Sequence, residues 1–182
     1  MTTKTIEIDW APRRPKCRYT EVDGMRTGDF TEWWDNRQVK TKCTYRDGQL
    51  DGAYTEWWPD GCKRAEYVYS NGVRDGPATI YHRSGLPEST RVYVAGKLHG
   101  EYHEWWQNGN KRVECTYADD LRDGPYKSWH ASGGVFVETN YRAGFDHGVR
   151  VMRNVDGMLL WHSRYIDGKK VEELIKTTSG VR

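Results

Sequence analysis

The sequence predicts an all-β protein built as a single elongated antiparallel meander of tandem 24-residue hairpins. Three observations predict it. Glycines recur in phase, the apolar content lies in large rings, and Asp-Gly or Asn-Gly pairs punctuate the aromatic runs. The first column is Gly28, Gly52, Gly76, Gly100, Gly124 and Gly148, spaced by 24 residues without an insertion. A second lies nine residues on, at Gly61, Gly85, Gly109, Gly133 and Gly157, with Arg37 as its exception. A third holds Gly48, Gly72, Gly96, Gly144 and Gly168, with Asp120 in the gap, and Tyr45, Tyr69, Tyr93, Tyr117, Tyr141 and Tyr165 complete the register. A fixed period of this length is the signature of a repeat array. Only 36% of the 182 residues are apolar, yet nine Trp, twelve Tyr and three Phe are present. Rings in that proportion suit a thin sheet better than a thick aliphatic core.

Each repeat reads G-x-[YF]-x-E-W-W-x-[ND]-G, then a charged and β-branched run ending in Tyr, then a second turn pair. Asp60-Gly61, Asn108-Gly109 and Asp156-Gly157 accept positive φ and predict two-residue hairpin turns. Asp47-Gly48 and Asp167-Gly168 close the second run, so consecutive hairpins join as a meander. The opening glycine needs its own reason, because glycine weakens a strand unless it marks a bulge or a close approach. Either it bulges, or the second turn is longer than two residues.

Pairing across the first turn divides the aromatics between two faces. One carries Phe30, Tyr54, Tyr102 and Tyr126 with Trp34, Trp58 and Trp106. The other carries Trp33, Trp57, Trp105 and Trp129, with Lys40, Arg64 and Arg112 opposite the first three as cation–π partners. His103 is expected to face Glu114.

Residues 1–27 read as an N-terminal cap and degenerate repeat, 28–171 as six repeats, and 172–182 as a C-terminal cap or tail. The N-terminal cap holds a strand-like run, Ile6 to Trp10. Lys170 to Lys176 is compatible with one or two helical turns, giving a short C-terminal helical cap. Atypical ends are what an array needs to cover its edges.

This unit, as in Glu104 to Gly109 and Cys43 to Gly48, resembles the MORN repeat in its variant form, the type found in YwqK-type antitoxins. The unbroken arrays it looks most like are those of Marseillevirus-family giant viruses. The resemblance implies an elongated antiparallel sheet used for protein–protein contact or, in some relatives, membrane association, and it carries no catalytic residue. Leu86-Pro87-Glu88-Ser89 departs from the pattern and predicts a local distortion or a specialised contact.

Chemistry-bearing residues do not converge. The cysteines Cys17, Cys43, Cys62 and Cys115 occur singly, without the close pairs of zinc sites, and predict free thiols in a reducing compartment. His82 and His130, and His99 with His147, lie two repeats apart. Glu32, Glu56 and Glu104 share a column, and repetition argues for a structural partner in each hairpin over one asymmetric active site. Ser84 and Ser132 sit at turns, and the glycines lack the strand-to-helix context of a phosphate loop. No catalytic residue, metal site or cofactor is expected. A formal charge of +2 with interspersed signs argues against nucleic acid. The N-terminus lacks the apolar core of a signal peptide, which predicts a soluble intracellular protein that is not secreted and not held by a membrane.

The function expected is a non-enzymatic scaffold for protein–protein interaction, such as a giant-virus structural or host-interaction protein in virion or host cytoplasm. A bacterial antitoxin or immunity protein that neutralises a toxin is the alternative, and a carbohydrate- or lipid-binding surface built on the tryptophans is the third. The candidate partner-binding residues are Trp33, Trp57, Arg64, Trp105, Arg112 and Trp129. Self-association through the sheet edges is a further possibility. Gly28, Gly52, Gly61, Gly76, Gly100, Gly109, Gly124 and Gly148 are the structural glycines.

Overall fold

The computed structural model describes residues 2–12 and 14–176, and among them there are strands and turns but no helix. The chain forms two compact units, Met1–Pro87 with Tyr93–Lys97, and Glu88–Val92 with Leu98–Arg182. The first holds β1 (Thr3–Ala11), β2 (Arg14–Val22), β3 (Met25–Trp33), β4 (Val39–Arg46), β5 (Gln49–Trp57), β6 (Lys63–Ser70), β7 (Val73–Arg74) and β8 (Gly76–Tyr81). Strand β9 (Pro87–Val94) is divided between the two, and β10 (Lys97–Trp105) enters the second at Leu98. The second continues with β11 (Lys111–Ala118), β12 (Leu121–Trp129), β13 (Val135–Arg142), β14 (Phe145–Asp146), β15 (Gly148–Arg153), β16 (Leu159–Ile166) and β17 (Lys169–Lys176). Within each unit neighbouring strands pair antiparallel in chain order, as the meander requires.

Two kinds of turn alternate. The Asp47-Gly48 type has positive φ at both central residues, 48° and 82°, which is the type I′ hairpin turn whose twist matches the flanking strands. Asp120, the exception among the glycines, takes the same conformation at φ 70°. The turn after the tryptophan pair differs from the two-residue form expected. Trp58 donates its N–H to the Cys62 carbonyl and Gly61 donates to the Trp58 carbonyl, leaving a three-residue loop with Gly61 at φ 86°. Asp60 stays at negative φ and its carboxylate accepts the Cys62 N–H at 3.1 Å, so it closes a type I turn and the glycine forms the bulge after it. Arg37 fills the glycine position of the first repeat at φ 69°. The Leu86-Pro87 segment causes no distortion of its turn: His82 donates to Leu86 and Gly85 to His82 at 2.9 Å, and Pro87 falls on the first residue of a strand.

The opening glycine does bulge. Cys43 faces Tyr54 but Tyr45 faces Leu50, and Gly52 between the two pairs adopts φ 102°. A Cβ on Gly52 would lie 2.6 Å from Thr44 Oγ1, the hydroxyl that donates to the Asp51 carbonyl across the bulge. Glycine is required there for both conformation and space. At Gly76 and Gly148 the same device divides one strand into β7 and β8, or β14 and β15.

The predicted C-terminal helical turns are replaced by β17, which runs along β16 from Ile166↔Lys169 to Trp161↔Lys176. Lys, Glu and Leu are good helix formers, but propensity is overridden by tertiary context, and the open edge of β16 supplies a ladder for that backbone. The tail beyond residue 176 lies outside the described residues.

Burial follows from the thinness of the sheet. Apart from Tyr93 the buried side chains are small, with Cys43, Ala65, Ala78, Cys115, Val137, Thr41, Ser89, Ser128, Thr139 and Ser163 all on the face that also carries the tyrosines. Tall rings lean over short neighbours, so one layer builds its own core. The cysteines are free, with Cys43 and Cys115 buried, Cys17 half-buried and Cys62 exposed. Burial pushes the Cys43 and Cys115 thiols up to about 11.

Candidate functional site

The tyrosine face is knitted by arginines. In the first unit Arg26 lies 4.6 Å from the Tyr19 ring centre, 5.4 Å from Phe30 and 5.6 Å from Tyr45. Arg74 lies 4.2 Å over Tyr67 and donates to the hydroxyls of Tyr69 and Tyr93 at 3.4 and 3.3 Å. In the second unit Arg122 sits 4.9 Å over Tyr126 and 5.4 Å over Tyr141, and donates to Tyr117 at 3.4 Å. Sequence reasoning missed these three residues. Their signal was a spacing of 48, twice the repeat.

The glutamate and the second tryptophan of the E-W-W motif belong to this same face. Glu56 accepts the Tyr54 hydroxyl at 2.8 Å and pairs with Arg64 at 3.5 Å, and Arg64 lies 4.8 Å over Trp58. Glu104, Tyr102, Arg112 and Trp106 repeat the arrangement, with Arg112 3.6 Å from Glu104 and 4.7 Å over Trp106. Lys40 does likewise with Glu32 and Trp34, at 3.0 and 5.0 Å. Burial, and then the carboxylate of Glu56, raises the Tyr54 hydroxyl well above its ordinary range. Each glutamate thus serves its own hairpin.

The expected cation pairing is therefore corrected. Lys40, Arg64 and Arg112 cover Trp34, Trp58 and Trp106, not Trp33, Trp57 and Trp105. The cause is the three-residue loop. Trp57 pairs with Lys63 while Glu56 pairs with Ala65, which leaves Arg64 as the extra residue and turns its side chain to the other face.

A second set of contacts ties successive repeats. Trp34 Nε1 donates to the Trp57 carbonyl at 3.2 Å, and Trp106 Nε1 to that of Trp129 at 3.1 Å. Trp10, 24 residues before Trp34, donates to Trp33 at 3.4 Å, and His130 Nε2 meets the Arg153 carbonyl at 3.0 Å. Trp58 Nε1 is buried and has no hydrogen-bond partner among the described residues.

The opposite, open face carries Trp33 and Trp57 in the first unit and Trp105 and Trp129 in the second. All four are half-buried. In the second unit His103 stands 5.9 Å from Trp105, and Lys111 and Lys127 lie 5.6 and 5.7 Å from Trp129. His103 faces Glu114 as expected, with Nε2 to carboxylate at 3.9 Å. Lys111 binds Glu114 at 2.7 Å and Lys127 binds Glu138 at 2.8 Å, and these ammonium groups hold both carboxyls below the usual range. Among these charges runs a groove of about 460 Å³ with Pro125, Val149 and Val151 in its lining. A smaller hollow of about 310 Å³ in the first unit is lined by Thr31, Lys42, Thr55 and Trp57.

Among the described residues no group of three or more His, Cys, Asp or Glu is placed to hold a metal. No helix there is long and apolar enough to cross a membrane. His147 lies 3.1 Å from Asp167 and His99 lies 3.7 Å from Asp119, each a surface pair beside a turn.

A one-layer sheet of phased hairpins, stitched at the 24-residue period and bearing aromatic columns on both faces, defines the class as a tandem β-hairpin repeat protein. Residues 98–119 and 122–143 match the family model described as a MORN repeat variant. Repeats of this kind generally mediate protein or membrane interactions and are typically non-catalytic scaffolds. No curated protein matches the chain.

Proposed function

We propose that the chain is a non-enzymatic scaffold that binds another protein through its open face. The observation that supports this reading is the division of labour between the two tryptophan columns. Trp34 and Trp106 donate to the next repeat's backbone and so hold the array, and Trp33, Trp57, Trp105 and Trp129 recur on the opposite face, where Trp57 lines a hollow. Trp is enriched at interface hot spots, where truncation costs at least about 2 kcal/mol. With Arg64 and Arg112 on the other face, the contact surface consists of indoles flanked by Lys, Glu and His.

The likeness to giant-virus arrays makes a virion or host protein the partner proposed. A toxin bound by an antitoxin would use the same contact chemistry, and a toxin gene beside this one would favour that alternative. The test begins with affinity purification from the native source and mass spectrometry to name the partner. Purified Trp105→Ala is then expected to lose about 30-fold in affinity with its circular dichroism unchanged. Trp106→Ala is expected to lose stability through the Trp129 bond and the Arg112 contact. Unaltered binding by both Trp57→Ala and Trp105→Ala would refute the reading.

A further inference from the structure

Both terminal strands carry two register shifts, in the middle of the ladder for β17 and at one end of it for β1. Strand β17 pairs with β16 through two register shifts, between His162 and Ser163 and between Arg164 and Tyr165. Irregularities of that kind twist an edge and blunt it against further pairing. Strand β1 pairs with β2 in unbroken register from Thr3↔Val22 to Ile8↔Cys17, with two shifts only at its far end, between Ile8 and Asp9 and between Asp9 and Ala11, and all nine of its residues except Ile6 are exposed. Among the described residues its ladder partner is β2, and the regular stretch Thr3–Ile8 is a template for another strand.

The unused hydrogen-bonding groups can be assigned. The Thr2 carbonyl accepts from Asp23 N–H at 3.0 Å. Antiparallel ladders alternate bonded and non-bonded residues, so Lys4, Ile6 and Ile8 exchange bonds with β2. Within the regular stretch the N–H and C=O groups of Thr3, Thr5 and Glu7 point outward.

We infer that β1 pairs with β1 of a second copy in an antiparallel, two-fold symmetric dimer, with Ile6 on the axis. A symmetric edge contact must match outward residues with outward residues. Centring on Ile6 sets Thr5 opposite Glu7 of the second copy and Thr3 opposite Asp9, while Lys4 meets Ile8. No like charges face each other. Centring one residue further, on Glu7, would oppose two glutamates. The Ile6 register also covers Ile8, which is 45% exposed, and sets the two Ile6 side chains together on the tyrosine face. An isologous contact closes on itself and stops at two copies. It uses an edge and leaves the open face free, so it is independent of the partner binding proposed above.

The mass of the full chain, measured by sedimentation over a concentration series, is expected to rise toward twice 21.3 kDa. Thr5→Pro removes an outward donor without touching the ladder to β2, and is expected to be monomeric at the same concentrations. In a Cys62→Ser background, Ile6→Cys is expected to form a disulfide-linked dimer on mild oxidation, since facing non-bonded residues lie about 4.5 Å apart at Cα. Thr3→Cys, which faces Asp9 of the other copy, is expected not to cross-link. Ile8→Lys is expected to lose the dimer by facing Lys4, and adding Lys4→Glu to restore it. A monomeric mass throughout the series overturns the proposal and leaves this edge for a strand of another protein. A dimer that Thr5→Pro does not weaken and Ile6→Cys does not trap overturns it equally, whether or not any single variant folds poorly.

Discussion

At the scale of residues, the fold turns on a few backbone positions with positive φ. Arg37 holds φ 69° where the other repeats use glycine, a conformation that costs an L-residue about 1–2 kcal/mol. Part of that is returned by the greater freedom of glycine in the unfolded chain. Arg37→Gly is therefore expected to raise stability by about 0.5–1 kcal/mol in urea titration. Gly52→Ala is its converse. The new Cβ would meet Thr44 Oγ1 at 2.6 Å as well as strain the backbone, and a loss of about 2 kcal/mol or more is expected. Both positions were legible in the sequence, because a gap in a phased column is as visible as the column. The partners of Arg64 and Arg112 were not. A single extra residue at the loop moves a side chain through the sheet, and the letters Asp-Gly suit a two-residue turn and a three-residue loop equally well.

At the scale of elements, the hairpins were readable because turn chemistry, alternation and period agree. Strand β17 was not, since Lys169–Lys176 carries no turn or aromatic signal and its state is decided by the ladder of β16. The clamps between strands were also hidden, for Arg26, Arg74 and Arg122 look like ordinary surface cations until the register sets them among rings. Arg74 joins β6, β7 and β9 through Tyr67, Tyr69 and Tyr93. Arg74→Leu keeps a comparable volume but removes the cation and both hydroxyl bonds, so thermal and denaturant unfolding should report a loss of about 2 kcal/mol. Arg74→Lys should recover less than half of it, because an ammonium cannot lie flat on Tyr67 and reach both hydroxyls.

At the scale of the whole molecule, the strand pairings within each unit join neighbours in sequence, so stability sums over local interfaces as in other solenoid-like arrays. Damage should stay local. Ala65, 2% exposed beneath the rings of the first unit, is a suitable place to test this. Ala65→Asp buries an unpaired charge, and hydrogen exchange is expected to show lost amide protection in residues 39–81 with protection from 111 to 153 retained. Uniform loss across both segments would show a single cooperative body instead. The repeat class was legible from the sequence alone; the identity of the partner was not, since the same indole columns serve cohesion on one face and exposure on the other.

The alternation beneath the arginines of the first unit bears on how such a chain changes length. Tyr19 lies under Arg26 and Tyr67 under Arg74, while the intervening positions hold Cys43 and Leu50. The smallest segment that can be gained or lost without disturbing this succession is thus two repeats. Excising residues 25–72 sets Arg74 beside Tyr19, a pairing the protein already makes, whereas excising 49–72 sets it beside Cys43. The longer deletion is expected to melt at the higher temperature of the two, although it removes twice as much chain. Duplication by recombination would favour the same 48-residue increment, and the number of repeats in such a lineage would then drift in steps of two.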